Sequence, residues 1–399
     1  MKIALVIERF DPQGGGAERS ANQIAQELTK AGHDVTILAG TADTQSIAVK
    51  EAQQAAQFTI TALGLKGRFG AIKLYRFSKW ARQQIREGDF DASLSFTTTV
   101  PASVVQPRSG TLKETFARNI AMRPSLLSRV IKRFTLKLSI KHQLLLALER
   151  RTLRNPMVLR FAAVSEYVKT QLVRHYKIDP KRIAIIPNAA AMPNFTPQER
   201  QAWRKQIREG FSIKPDTLVY VFAALNPRLK GANTLISAAA ILHKRGLKNF
   251  IVLMAGQMGY SQQHLAAKLE VRDQIRFVGA TSHMDRLYCA SDVTVLPTFY
   301  DPSSKVVIES LMMGVPAIST SFNGASDMIL PGGGVTRGRV VDNPADTQAL
   351  ADAMEQLSDP ASRLQCAAAT KGLSHAFSMQ IHVQKLIALF EEASQSEAK

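Results

Sequence analysis

Residues 294–329 read TVLPTFYDPSSKVVIESLMMGVPAISTSFNGASDMI, and their order decides the fold. A short apolar run, Val293 to Leu296, ends at Pro297 and opens into a polar loop. Asp301 and Pro302 lead into a predicted helix with Ser303 or Ser304 as N-cap and Gly314 just past its end. Val315 to Ser319 is the next predicted strand, and Asn323-Gly324 turns the chain again. Asp301 thus sits in the loop before the helix and Glu309 inside its body. A helix N-terminus offers backbone N–H groups and a partial positive charge, which suit a phosphate or diphosphate. Carboxylates flanking such a site accept hydrogen bonds from sugar hydroxyls. The chemistry points to a nucleotide-sugar pocket; the plain alternative is a capped strand–helix–strand unit with two surface acids.

Outward from this stretch, the second half repeats the alternation, with predicted strands at Leu218 to Ala223, Phe250 to Ala255 and Ile275 to Val278. After the first comes Asn226-Pro227-Arg228-Leu229-Lys230-Gly231, two cations beside a helix start that can neutralise a diphosphate leaving group. Gly256 follows the next strand and Gly279-Ala280 the one after. The first half opens with a strand at Ile3 to Ile7, then Gly14-Gly15-Gly16-Ala17-Glu18, a helix, and a strand at Val35 to Ala39. A dinucleotide G-x-G-x-x-G reading fails because Arg19 holds the third glycine position. Further strands are predicted at Phe58 to Ala62, Ala92 to Phe96, Ala102 to Gln106, Phe161 to Val164 and Ile183 to Ile186. Asp89-Phe90-Asp91 matches a metal-binding D-x-D pattern but reads as a solvated turn, so no metal site is expected. Ala190 to Lys214, rich in proline and charge, reads as a linker, and Phe377 to Ala393 as a final amphipathic helix.

The 301–309 segment resembles the E-P-F-G-x-x-x-x-E signature of retaining GT-B glycosyltransferases of family 4 type. It departs from it at Asp301, Ser303 and Ser304. The resemblance implies that Asp301 contacts the donor sugar, Glu309 holds the ribose, and Ser303, Ser304 and Lys305 line the donor site. Lys230-Gly231 is similar to the end of the family's G-R-x-x-x-x-K-G pattern. Leu225 holds the usual arginine position there, and Arg228 follows three residues later. By the same resemblance Gly15, Gly16, Gly256, Gly279 and Ala280 approach the donor through their backbones. Pro187-Asn188-Ala189 departs from I-P-N-G. Where many family members carry an acceptor-side histidine, residues 107–119 have none, and Arg108 and Gly110 stand nearest. The subgroup that builds lipopolysaccharide core is the nearest in arrangement.

The expectation is therefore an α/β, GT-B architecture of two Rossmann-like domains facing across a cleft. Residues 1–190 form the acceptor side, 191–375 the nucleotide-sugar domain, and 376–399 a helix returning to the first. The implied function is retaining, metal-independent hexosyl transfer from a nucleotide-sugar, UDP-linked by resemblance, to a glycan or glycolipid acceptor. No cofactor beyond that donor is expected. Lys230, Arg228 and Asp301 are the catalytic candidates, with a donor phosphate oxygen taking the acceptor proton.

Charge adds a partner. The 399 residues carry a net +19, with 30 Lys and Arg against 14 Asp and Glu in residues 1–188 and only 21 against 18 in the rest. An anionic partner is implied for the first half alone. Arg129, Arg133, Lys137 and Lys141 recur every fourth residue beside Leu127, Ile131, Phe134, Leu138, Leu145 and Leu148, as in one basic amphipathic helix on an anionic membrane surface. Nucleic acid is disfavoured, since aromatic interleaving and a binding motif are both missing. The opening MKIALVIERFDP reads as a strand rather than a signal peptide. Two cysteines, Cys289 and Cys366, show no metal-ligand spacing and suit a reducing cytoplasm. A cytoplasmic enzyme, peripheral on the inner face of the membrane, is the expected location. The rival classes are a nicotinamide-dependent oxidoreductase and a non-catalytic membrane- or nucleic-acid-binding module.

Overall fold

Every second residue of the first strand faces a different layer, and that alternation shows how its sheet is covered. In the computed structural model, which describes residues 1–14, 16–43, 46–65 and 70–397, Ile3, Leu5 and Ile7 pack with Ile24 and Leu28 on one face. Ala4 and Val6 pack with Phe77 and Ala81 on the other. Burial on both faces explains why the strand reads as an unbroken apolar run. The strands of this sheet are β1 (Lys2–Phe10), β2 (Asp34–Ala42), β3 (Thr59–Ala62), β4 (Ala92–Ser95), β5 (Val104–Val105), β6 (Arg160–Ala163) and β7 (Ile183–Ile185). All pair in parallel, in the order β3-β2-β1-β4-β5-β6-β7.

The second sheet contains β8 (Leu218–Ala223), β9 (Phe250–Ala255), β10 (Ile275–Gly279), β11 (Val293–Val295), β12 (Ala317–Thr320) and β13 (Gly338–Val341). Its order is β10-β9-β8-β11-β12-β13, again all parallel. Tyr220 and Phe222 enter one core layer and Val219 and Val221 the other. β13 carries no strand signal of its own. It is short and sits at the sheet edge, and Gly338 lets it close on β12, since a Cβ there would lie 1.8 Å from the Ala317 carbonyl oxygen.

The chain divides into two units, Met1–Ala189 with Ser378–Lys399, and Ala190–Phe377. The last helix, Met379–Glu397, belongs to the first unit, where Val383, Leu386, Leu389 and Phe390 join its core.

Two expectations need correction. The linker expected at residues 190–214 contains a helix, Pro197–Gly210. Thr196 and Glu199 form a capping box with Pro197 in the first turn. Arg204 and Arg208 then hold Asp292 at 2.7 and 2.9 Å, so the charge read as linker character is an ion-pair anchor. The basic amphipathic stretch is two helices rather than one: Leu126–Leu138 and Ile140–Leu153 meet at Ser139, an extended residue. Lys141 therefore lies on the second helix. On the first, Leu127, Ile131, Phe134 and Leu138 are all exposed, Leu138 to 77%, while Leu136 is buried.

Candidate functional site

In the second unit the sheet order reverses between β8 and β11, and ligands of doubly wound sheets bind at the carboxyl ends beside such a reversal. Two loops meet there because of one glycine. Gly231 has φ +79°, and a Cβ on it would fall 2.0 Å from the Pro297 carbonyl oxygen. Without a side chain the loop after β8 lies against the loop after β11. Phe299 N donates to Leu229 O at 2.9 Å, and Thr298 Oγ1 to the same oxygen at 3.3 Å. Lys230 Nζ consequently reaches Asp301 Oδ2 at 2.5 Å and Tyr300 O at 3.2 Å. The lysine and the acid expected to meet different parts of the donor are thus each other's partners. Arg228 is exposed, and among the described residues its guanidinium carries no hydrogen bond. Leu225, in the position expected for arginine, is 90% exposed.

The loop that presents Asp301 is held by a residue that the sequence marks only as a turn. Asn323 Oδ1 accepts from Ser304 N at 3.2 Å and Ala325 N at 3.0 Å, and its Nδ2 donates to Ser319 Oγ at 2.8 Å. Asp301 N donates to Phe322 O, Gly324 N donates to Asp301 O, and Asp301 Oδ1 accepts from Ser303 N at 3.2 Å. The amides of Ser303 and Ser304 are therefore engaged by loop side chains, which shape the entry to the helix. That helix is Lys305–Met312, with Ser304 as N-cap, Lys305 as its first residue and Gly314 just beyond its C-cap at φ +76°.

Glu309, one turn further along, is half-buried, and its Oε2 lies 3.2 Å from the Tyr288 hydroxyl. That hydroxyl is also 3.1 Å from Val306 O. Burial, and then the neighbouring Glu309, push the Tyr288 phenol well above its ordinary range, so it stays a donor and orients the carboxylate. Tyr288 gave no sequence signal, because an apolar helix position looks the same whether or not its hydroxyl has a task. At the ends of β9 and β10, Gly256 N donates to Gly279 O at 2.7 Å, and Ala280 is exposed. The backbone candidates and the charged ones stand along one edge of one sheet.

In the first unit, Arg108 follows β5. Its Nη1 donates to Gln106 Oε1 at 2.9 Å and its Nη2 to Asn188 Oδ1 at 2.8 Å, with the guanidinium 5.6 Å from the Phe96 ring centroid. Burial lowers its pKa to about 10, so it remains a cation at neutral pH. Asn188 thus serves Arg108, while the Pro187 carbonyl oxygen lies 2.7 Å from His382 Nδ1. Gly110 is buried at φ +68° in the turn that delivers Thr111 as N-cap of helix Leu112–Ala121, so its part is in the backbone. Gly16 opens helix Gly16–Lys30; Gly15 lies outside the described residues. Asp91, of the D-x-D triplet, accepts from Lys2 N at 2.7 Å.

Comparison with known proteins agrees with this layout. Residues 204–372 match the family model "Glycosyl transferases group 1", and residues 14–190 match "Glycosyltransferase Family 4". The D-inositol 3-phosphate glycosyltransferase of Pseudarthrobacter chlorophenolicus is 31% identical over 215 residues, 51% of this chain and 49% of that protein. The chain spans about half the length of the curated relatives it matches first. The lipopolysaccharide glucosyltransferase WaaG of Escherichia coli is 21% identical over 330 residues, 82% of this chain and 83% of the relative. Among solved structures, WaaG superposes with a TM-score of 0.74 at 18% identity, covering 97% of this chain and 99% of the other. Anabaena Alr3699/HepE in complex with UDP gives 0.70 at 16% identity, covering 98% of this chain and all of the other. These structural likenesses speak for the fold. Two parallel Rossmann-like units, a family model on each, and the 230–309 constellation at the edge of the second place this chain in the GT-B glycosyltransferases of family 4 type.

Proposed function

We propose that this protein transfers a hexose from a nucleotide-sugar, UDP-linked, to a glycan or glycolipid acceptor in cell-envelope or lipopolysaccharide core synthesis, with retained anomeric configuration. The observation that carries this reading is the convergence of Lys230, Arg228, Asp301, Glu309 and the start of helix Lys305–Met312 on the switch-point edge of the second sheet. Glu309 takes the ribose hydroxyls, and the backbone at Gly279-Ala280 takes the base. Asp301 reads a sugar hydroxyl. Lys230 and Arg228, with the helix start, carry the charge that grows on the departing diphosphate. As the bond from the anomeric carbon to the diphosphate oxygen breaks, the acceptor oxygen bonds to that carbon and its proton passes to a donor phosphate oxygen. Lysine and arginine fill the role a divalent ion plays elsewhere, so chelation by EDTA should leave turnover unchanged. Thermal-shift titration with UDP, GDP, ADP and NAD tests the class. Stabilisation by UDP above the others supports the reading, whereas a response to NAD alone overturns it.

The same reading places the protein on the inner face of the cytoplasmic membrane. Among the described residues no helix is long and apolar enough to cross a membrane. Helix Leu126–Leu138 instead exposes an apolar stripe beside Arg133 and Lys137, with Arg129 half-buried and Lys141 exposed on the helix that follows. Each basic residue near an anionic surface contributes about 1 kcal/mol. Reversing Arg129, Arg133, Lys137 and Lys141 to Glu should abolish flotation with anionic vesicles while UDP binding survives. A wild type that ignores such vesicles at low salt would sink the membrane part.

A further inference from the structure

Helix Ala71–Glu87 covers one face of the first unit's sheet, where its Phe77 and Ala81 pack on Ala4 and Val6. Beside that apolar face runs a polar stripe, Tyr75, Ser78, Lys79 and Arg82, at the i, i+3, i+4, i+7 spacing by which helices ordinarily pack on a neighbour. Across from it stand Leu148, Arg151, Thr152 and Asn155, at the same spacing along helix Ile140–Leu153 and the turn that follows. The two stripes line one cleft of about 480 Å³, its open mouth included, a volume in the range of small-molecule sites. Pro101 and Asn155, which also line it, precede β5 and β6, so the cleft lies toward the amino ends of those strands. Lys230 and Asp301 stand beside the other sheet, and Arg108 stands past the carboxyl end of β5.

The cleft gathers donors and offers them no acceptor. Lys79, Arg82 and Arg151 line it, and among the described residues no acid does. Nor, among the described residues, does any of these cations take part in an ion pair or a side-chain hydrogen bond. Arg82 Nε is sealed from solvent without a hydrogen-bond partner. Ser78 and Thr152 are only 6% and 2% exposed, and among the described residues their hydroxyls have no partner either. Helical serines and threonines commonly return the hydroxyl to a carbonyl one turn back, as Thr115 does to Thr111 O at 2.9 Å. Buried donors left unpaired cost free energy, and like charges on facing helices repel. A multiply charged anion between the helices offsets both.

We propose that this cleft is a second ligand site, separate from the donor edge, and that it takes a small soluble polyphosphate anion, of which pyrophosphate is the simplest. The Arg82 and Arg151 guanidiniums close on its oxygens from the two helices, each through its planar fork, and Lys79 adds a point charge. Ser78 and Thr152 donate to oxygens that the cations leave free. Three cations balance a pyrophosphate trianion, whereas a single phosphate dianion leaves one of them unpaired. The binding chemistry is independent of the transferase reading.

Calorimetric titration of the full chain with pyrophosphate, inorganic phosphate and sulfate tests it, with UDP saturating and magnesium left out. Pyrophosphate should bind a single site, about tenfold or more tighter than phosphate or sulfate, the equivalent of one further charge-assisted bond. Arg82→Gln and Arg151→Gln should each weaken pyrophosphate by a similar factor and leave UDP affinity unchanged. Thr152→Val should weaken pyrophosphate yet melt no earlier than wild type, a split that belongs to a hydroxyl the fold does not use. If Arg82→Gln melts early, Arg82→Lys, which keeps the charge and loses the fork, should give an intermediate affinity. At matched ionic strength, pyrophosphate should leave flotation with phosphatidic acid vesicles unchanged; competition between them would mean that the cleft takes a lipid headgroup and would overturn the soluble anion. A wild type that gives no heat with pyrophosphate, or binds it no better than sulfate, would overturn the proposal, as would variants that lose UDP and pyrophosphate together.

Discussion

The carboxyl edges of the two sheets treat charge in opposite ways. In the second unit Lys230 and Asp301 neutralise each other at 2.5 Å, and much of the remaining edge is backbone. In the first, Glu8 and Arg108 stand at the ends of β1 and β5, with β4 between them, and among the described residues the hydrogen-bond partners of both are neutral. The same architecture thus supports a self-paired edge and an unpaired one. A self-paired edge balances its charges within the fold. An unpaired edge carries the cost of its desolvated charges within the fold.

The largest expected effect tests the paired edge. Lys230→Ala should lower turnover about 10²- to 10³-fold, as for loss of one preorganised charge stabiliser. Asp301→Asn should weaken nucleotide-sugar binding while leaving free UDP unchanged or tighter, because it releases Lys230. A double-mutant cycle should show the two substitutions to be non-additive by at least about 0.5 kcal/mol, and additivity would break the pairing.

Next comes the glycine that brings the loops together. Gly231→Ala should cost about 2–3 kcal/mol in a denaturant melt, from left-handed strain and the clash with Pro297. Gly16→Ala, at a helix start with nothing within 4 Å of its Cβ, should cost nothing and stabilise by up to about 1 kcal/mol. Equal losses at both sites would mean that Gly231 has no special part.

The smallest effect concerns the unpaired edge. The folded-state pKa of Glu8 lies above its unfolded value, so the folded state holds that proton to higher pH. Stability should therefore fall as pH rises from the ordinary carboxylate range through the folded pKa, and level off above it. Glu8→Gln should gain stability at neutral pH, within about 1 kcal/mol, and lose that advantage toward pH 4. A variant less stable than wild type at every pH would make Glu8 a structural residue.

The chain itself determined the alternation of strands and helices, because apolar runs buried on both faces and capping residues are local signals. Leu218 to Ala223 and Phe250 to Ala255 appear with the bounds the sequence predicted. It also determined which loops hold the donor candidates, since each lies at the carboxyl end of a legible strand. Where local signals mislead, a contact distant in sequence is the cause: Pro197–Gly210 resembled a linker until Asp292 accounted for its arginines. The break at Ser139, and the exposure of the leucines before it, were equally invisible, because helical spacing says which residues share a face but not what covers them. Tertiary structure alone decided partnership. Lys230 meets Asp301 across 71 positions of chain, Arg108 meets Asn188 across 80, and Glu8 meets Thr97 across 89. Such distances close only when the sheet order sets strand ends side by side. For that reason residue types were readable in advance, while which charges would be paired and which left unpaired was not.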